Sequence, residues 1–255
     1  MGRLLSLKVI IFRISVPFIT FAIETSGAYG GIAILEDDRV VGEAAFSSRK
    51  THSRRLLPLA KFLFQDMGLQ FSDLDLVAVS QGPGSFTGLR IGMSVAKGLA
   101  YGLSIPVVGV PSLDALAYAV TACPGDYICP LIDARKGEVY CALYEVEQDY
   151  SQKRITDYLV LPPEDVAELV KGKRVWLLGS GADVCFELLA HKYGDKVRLT
   201  TKVLDRQLPS SVGLIGYRKF RQHKNGDSLS LLKPIYVRPS EAEINLKRKR
   251  LSGTV

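Results

Sequence analysis

Residues 80–100, SQGPGSFTGLRIGMSVAKGLA, hold the five glycines Gly82, Gly84, Gly88, Gly92 and Gly98, and their reading decides the fold. The stretch follows the apolar run DLVAVS at 75–80, a short buried strand by pattern, and continues as a helix over about 88–102. Strand, glycine turn, helix is an α/β unit whose backbone N–H groups and helix dipole can hold an anion. As a phosphate cradle it is poor. No Gly-Lys-Ser/Thr is present, the spacing Gly82-x-Gly84-x-x-x-Gly88 misses the dinucleotide fingerprint by one residue, and Pro83 has no N–H to offer. Gly88, Gly92, Ala96 and Ala100 recur every four residues and form one stripe, with Gly98 and Gly102 on a neighbouring one. Glycine inside a helix costs about 1 kcal/mol relative to alanine, so the stripe makes sense where another backbone comes close. Two uses are possible, packing on the chain's own sheet or neighbouring helix or contact with a partner helix, and the partner contact is the one expected.

Outward from this segment the pattern is regular. Residues 18–24, 30–35 and 40–46 are apolar or alternating runs with turn signals at 26–31 and 36–39, an antiparallel meander. Residues 51–67 carry apolar positions at helical spacing, stopped by Gly68. PVVGV at 106–110 is a further buried strand, after which Ser112 suits the N-cap of a helix over 113–120. A second unit starts near residue 127: YICPLIDAR and GEVYCALYEV form a hairpin around Arg135-Lys136-Gly137, TDYLVL adds a strand, and Pro162-Pro163 open a helix to about 170. A strand ending in glycines (175–181) and helices near 182–192 and 210–222 complete that half. The order repeats the first half without clear sequence identity. The expectation is an α/β protein of two duplicated lobes around a cleft: 1–17 an extension outside the fold, 18–122 the N-terminal lobe, 123–239 the C-terminal lobe and 240–255 a basic tail.

With 47% hydrophobic and 23% charged residues the profile is that of an ordinary globular protein. Of the net charge of +7, four charges sit in the run KRKR at 247–250, so the body is only mildly basic; the run is either a nucleic-acid contact or a solvated terminus. The N-terminal apolar run is interrupted by Lys8 and Arg13, too short and charged for a membrane span. A start codon assigned too far upstream would account for it. Cys123, Cys129, Cys141 and Cys185 form no C-x-x-C pair and read as reduced thiols of a cytoplasmic protein. His52, His191 and His223 never stand at i, i+4, so no metal motif is expected. Glu24-Thr25-Ser26 closes the first strand and Asp133 holds the matching place in the second half. Carboxylates at these two places suit magnesium and phosphates, but Arg135-Lys136 and the bulky Tyr29 argue for a degenerate nucleotide cleft.

The long block at 80–117, with FAIETSGAYGGIAIL (21–35), THSRRLLP (51–58), IDARKGEVYCALY (132–144) and KPIYVRP (233–239) in the right order, resembles the TsaB (YeaZ) family. The resemblance implies the actin-like, sugar-kinase-like (ribonuclease H-like) fold and a role in making threonylcarbamoyladenosine next to the anticodon of tRNAs that read codons beginning with A. It further implies a non-catalytic subunit without catalytic or metal residues or intrinsic cofactor, partner of the paralogous transferase TsaD and of the ATPase TsaE. The tRNA is then reached through that complex, ATP or ADP enters only there, a homodimer of the free chain is open, and no membrane is involved. Carried over from the family's use of its first two helices, the expected partner contacts are Leu56, Leu59, Leu63, Gly88, Arg90, Gly92, Met93, Ala96 and Lys97. The competing readings are an ATP-dependent phosphotransferase of the same fold and a metal-dependent glycoprotease-like enzyme.

Overall fold

A computed structural model describes residues 16–47 and 52–238. The expected extension, but for residues 16 and 17, and the basic tail lie outside the described residues.

The meander forms as β1 (Ile19–Glu24), β2 (Tyr29–Glu36) and β3 (Arg39–Ser47), all antiparallel, with Phe21 opposite Ile34. Helix α1 (His52–Asp66) leads to β4 (Leu76–Gly82), α2 (Phe86–Leu103) to β5 (Val107–Pro111), and α3 (Ser112–Tyr118) leaves the sheet. β4 and β5 join parallel beside β1, giving the order β3-β2-β1-β4-β5. The second sheet uses β6 (Tyr127–Arg135), β7 (Glu138–Cys141), β8 (Tyr144–Val146), β9 (Gln152–Arg154), β10 (Leu159–Leu161), β11 (Val175–Leu178) and β12 (Val197–Leu199). Its main path, β10-β7-β6-β11-β12, has the strand order of the first sheet, so the repeat of architecture is real. Helices α4 (Pro163–Leu169), α5 (Ala182–Tyr193) and α6 (Pro209–His223) belong to this half of the sequence.

Three expectations change. Ser112 is the first residue of α3, not its N-cap, and its hydroxyl accepts a hydrogen bond from Gly82 N at 3.1 Å. The single strand expected over 137–146 breaks at Ala142-Leu143 into β7 and β8, which pair with different halves of β6. Most consequentially, α6 does not complete the second lobe. Its Val212 packs with Ala22, Leu35, Ala78 and Val110 of the first sheet. In return Leu113, Leu116 and Ala117 of α3 pack with Ile128, Ile132, Tyr144 and Leu178 of the second. The hydroxyls of Tyr144 and Tyr158 both donate to Asp114 Oδ1, at 2.6 and 2.7 Å, fastening α3 there. Helical periodicity identifies an apolar face but not the sheet it meets.

After α6 the chain returns along the free edge of β5. Asp227 N donates to Val107 O at 2.7 Å, its carboxylate accepts from Gly109 N at 2.7 Å, and Leu232 is buried against the first core. Ile235 N then donates to Gln81 O at 2.7 Å. An otherwise exposed sheet edge is thereby covered.

Candidate functional site

The ends of β1 and β4 meet the glycine turn. Thr25 N donates to Ser80 Oγ at 3.2 Å, and Thr25 Oγ1 donates to the carbonyl of Gly88 at 2.8 Å. A Cβ on Gly88 would stand 2.0 Å from Thr25 O, and one on Gly92 would stand 2.2 Å from Thr25 Oγ1. The glycine stripe is therefore the face by which α2 lies on the end of β1, and the internal-packing use of it is the one realised. Gly84 rests on Ser26 in the same way, its absent Cβ 2.3 Å from Ser26 O.

Three of the turn's donors are already engaged. Gly82 N bonds Ser112 Oγ, Ser85 N bonds Ser26 O at 2.7 Å, and Gly88 N bonds the capping hydroxyl of Ser85 at 3.2 Å. Pro83 has none. Beneath lies Glu24, 1% exposed. Its Oε1 accepts from Ser26 N at 2.5 Å and Ser26 Oγ at 2.6 Å, while Oε2 is buried without a hydrogen-bond partner. Burial pushes the Glu24 carboxyl up to about 7, against the smaller opposing pull of its hydrogen bonds. Asp133 is in a different situation: exposed, bound to the backbone N–H and guanidinium of its neighbour Arg135, with its own N–H on Ser180 Oγ. No hydrogen bond or ion pair joins Asp133 to Glu24, Thr25 or Ser26, all three of which are buried, so the four do not line one open cleft. Among the described residues no group of three or more His, Cys, Asp or Glu side chains could hold a metal.

Most of the expected partner contacts fall on inner faces. Leu56, Leu63, Gly88, Gly92, Met93 and Ala96 are buried against the first sheet, because the apolar periodicity that singles them out is the signature of the core-facing side. Leu59 and Lys97 are half-buried and Arg90 is exposed. The outer side of the α1–α2 layer presents other residues: Leu57, Phe62 and Tyr101 are 47%, 64% and 79% exposed, and Gly98 and Gly102 face open space. Phe62 is the sequence cue to this side, an aromatic that falls off the apolar stripe of α1.

The chain matches, over residues 40–246, the family model described as "TsaD: tRNA N6-adenosine threonylcarbamoyltransferase". It is 34% identical over 224 residues to the tRNA threonylcarbamoyladenosine biosynthesis protein TsaB of Bacillus subtilis, spanning 87% of this chain and 95% of that protein. YeaZ from Pseudomonas aeruginosa superposes with a TM-score of 0.68 at 28% identity, over 86% of this chain and 99% of that one. An activator of 2-hydroxyisocaproyl-CoA dehydratase from Clostridium difficile, solved with ADPNP, superposes at 0.51 with 11% identity over 86% of this chain and 100% of its own, a likeness of fold alone. The fold of two α/β lobes is thus shared with that activator. No helix among the described residues is long and apolar enough to cross a membrane.

Proposed function

The chain belongs to the TsaB (YeaZ) family of tRNA threonylcarbamoyladenosine biosynthesis proteins, and from that premise we propose that it serves as a partner-binding subunit of the transferase, not as its catalyst. The observation that carries this is the partly occupied glycine turn. In a nucleotide-using lobe the turn's N–H groups would be free for phosphate; here those of Gly82, Ser85 and Gly88 bond Ser112, Ser26 and Ser85, and Pro83 has none. TsaD is the partner that performs the threonylcarbamoyl transfer, TsaE joins the assembly, and tRNA and any ATP or ADP enter through the complex, in the cytoplasm. The outer α1–α2 side, with Leu57, Phe62 and Tyr101 around Gly98 and Gly102, is the docking side for TsaD, and in its absence for a second copy of the chain. Exposed aromatic and aliphatic side chains around glycines without Cβ allow a partner helix close approach and a desolvated centre.

The test is reconstitution. TsaD, TsaE and this chain together, given tRNA, ATP and threonylcarbamoyl adenylate as donor, should yield modified tRNA with release of AMP, and omission of this chain should abolish the product. Phe62→Glu should prevent co-purification with TsaD while leaving the thermal melt of the free chain in place. Robust ATP turnover by the isolated chain, or full tRNA modification without it, overturns the proposal.

A further inference from the structure

The returning chain does more than cover a sheet edge. It crosses the glycine turn, where a Cβ on Gly82 would stand 3.0 Å from the carbonyl of Ile235, and brings Tyr236 onto the first turn of α2. Tyr236 and Phe86 have ring centroids 5.5 Å apart at 31°, and both rings are partly open to solvent. The Arg90 guanidinium lies 3.8 Å over Phe86 while its Nε donates to Tyr236 Oη at 3.3 Å. Two residues on, Arg238 forms an ion pair with Glu138 of β7 in the other lobe. Glu138 is the cross-strand partner of Arg135, whose side chain is 86% exposed at the hairpin tip beside Lys136. Two residues of chain span at most about 7 Å and a cross-strand pair about 5 Å. The returning chain and its Arg238–Glu138 ion pair therefore link the aromatic pair on the first lobe to the hairpin of the second.

From this juxtaposition we infer that the surface formed by Phe86, Arg90, Tyr236, Arg238 and Arg135 binds a single-stranded segment of RNA. Its parts match what such a strand offers. An open tyrosine ring backed by a second aromatic and a guanidinium plane stacks an unpaired base, and flanking arginines meet its phosphates. Asp133 and Glu138 neutralise part of that charge through Arg135 and Arg238. The choice of RNA over other polyanions rests on the family reading, in which tRNA is the molecule modified.

The experiment is fluorescence anisotropy of the full chain with a labelled twelve-nucleotide oligouridylate at several salt concentrations. Tyr236→Ala should weaken binding about tenfold with little change in salt dependence, and Tyr236→Phe should bind like the wild type. Arg135→Ala should weaken binding and reduce the log–log salt slope by about 0.7, the loss of one phosphate contact on a single strand. Arg135 is nearly free of packing, so its variant reports on binding even if Tyr236→Ala loosens the returning chain. Wild-type affinity in both alanine variants overturns the inference. So does competition by polyglutamate as effective as that by unlabelled RNA, which would make the surface a dock for an acidic protein chain. Co-purification of both alanine variants with TsaD is expected to persist, and Phe62→Glu should retain RNA binding. Failure of the RNA surface is thereby distinguishable from failure of the subunit reading.

Discussion

Glu24→Gln gives a pH signature that can be worked out in advance. The folded carboxyl titrates near 7 because it is buried, whereas its ordinary value is 4.5. Between these values the folded protein keeps a proton that the unfolded chain has released, so stability falls as pH rises through about 7. For this shift the linkage relation gives a loss of about 2.5 kcal/mol from about pH 5 to about pH 8. Glutamine retains an Oε1 that can accept from Ser26 N and Oγ, but places a buried amide N–H₂ where Oε2 now lacks a partner. That costs about 1–3 kcal/mol at every pH and adds no titration. Urea unfolding of both proteins over the range is the assay. The stability gap between wild type and variant should narrow by about 2.5 kcal/mol on going to high pH, a relative midpoint change near 1 M urea at a slope of about 2–3 kcal/mol/M. Other carboxylates cancel in the difference. A gap constant to within about 0.5 kcal/mol would refute the burial of a protonated Glu24.

The glycines of α2 divide by what faces them. Gly88→Ala forces a Cβ into the carbonyl of Thr25 and disturbs the Thr25–Gly88 hydrogen bond, so about 3 kcal/mol of stability should be lost. Gly98→Ala, in open space, should gain up to about 1 kcal/mol; thermal melts of the same sign for both would contradict this division. Asp114→Ala removes the acceptor of two tyrosine hydroxyls, one on the buried Tyr144, and should cost about 3 kcal/mol in chemical denaturation; a loss under about 1 kcal/mol would mean those bonds do not hold α3 to the second sheet. Of the four cysteines only Cys123 is exposed, while burial pushes Cys129 up, Cys141 to about 12 and Cys185 to about 11. Titration with a thiol reagent should therefore find one fast thiol in the native protein and four after denaturation, and a second fast native thiol would show that this core is open.

What could be read from the residues followed from local physics. The meander is legible because alternation and turn residues act within a few positions of each other, and α2 because strand, glycine turn and amphipathic run adjoin in the chain. β9 and β12, three residues each, are too short to leave a period. The exchange of α3 and α6 between the sheets was not legible, since an apolar helical face says nothing of which sheet it meets. The same holds for the side chains of α1 and α2. Leu56, Met93 and Ala96 stand out by periodicity because they serve the core, whereas the exposed Phe62 and Tyr101 fall off that period. The surface around Tyr236 joins residues about 150 positions apart, which only the return of the chain along β5 brings together.

The glycine turn brings these observations to one chemical point. A phosphate drawing on Gly82, Ser85 and Gly88 would have to displace the Ser26 carbonyl from Ser85 N and the hydroxyls of Ser112 and Ser85 from Gly82 N and Gly88 N, and breaking those bonds offsets part of what its charge-assisted bonds would gain. The phosphate would then sit above a carboxyl that is half ionised near neutral pH and has no cation within its own hydrogen bonds, and in a poorly solvated site like charges repel strongly. Occupied donors and a buried acid are independent obstacles, and removing one leaves the other. The glycines are kept for a third reason, because Gly84, Gly88 and Gly92 let the turn and α2 lie directly on the end of β1. The glycine-rich segment thus holds the lobe's own strand, and the opposite side of α2, with Gly98, Tyr101 and Gly102, stays exposed.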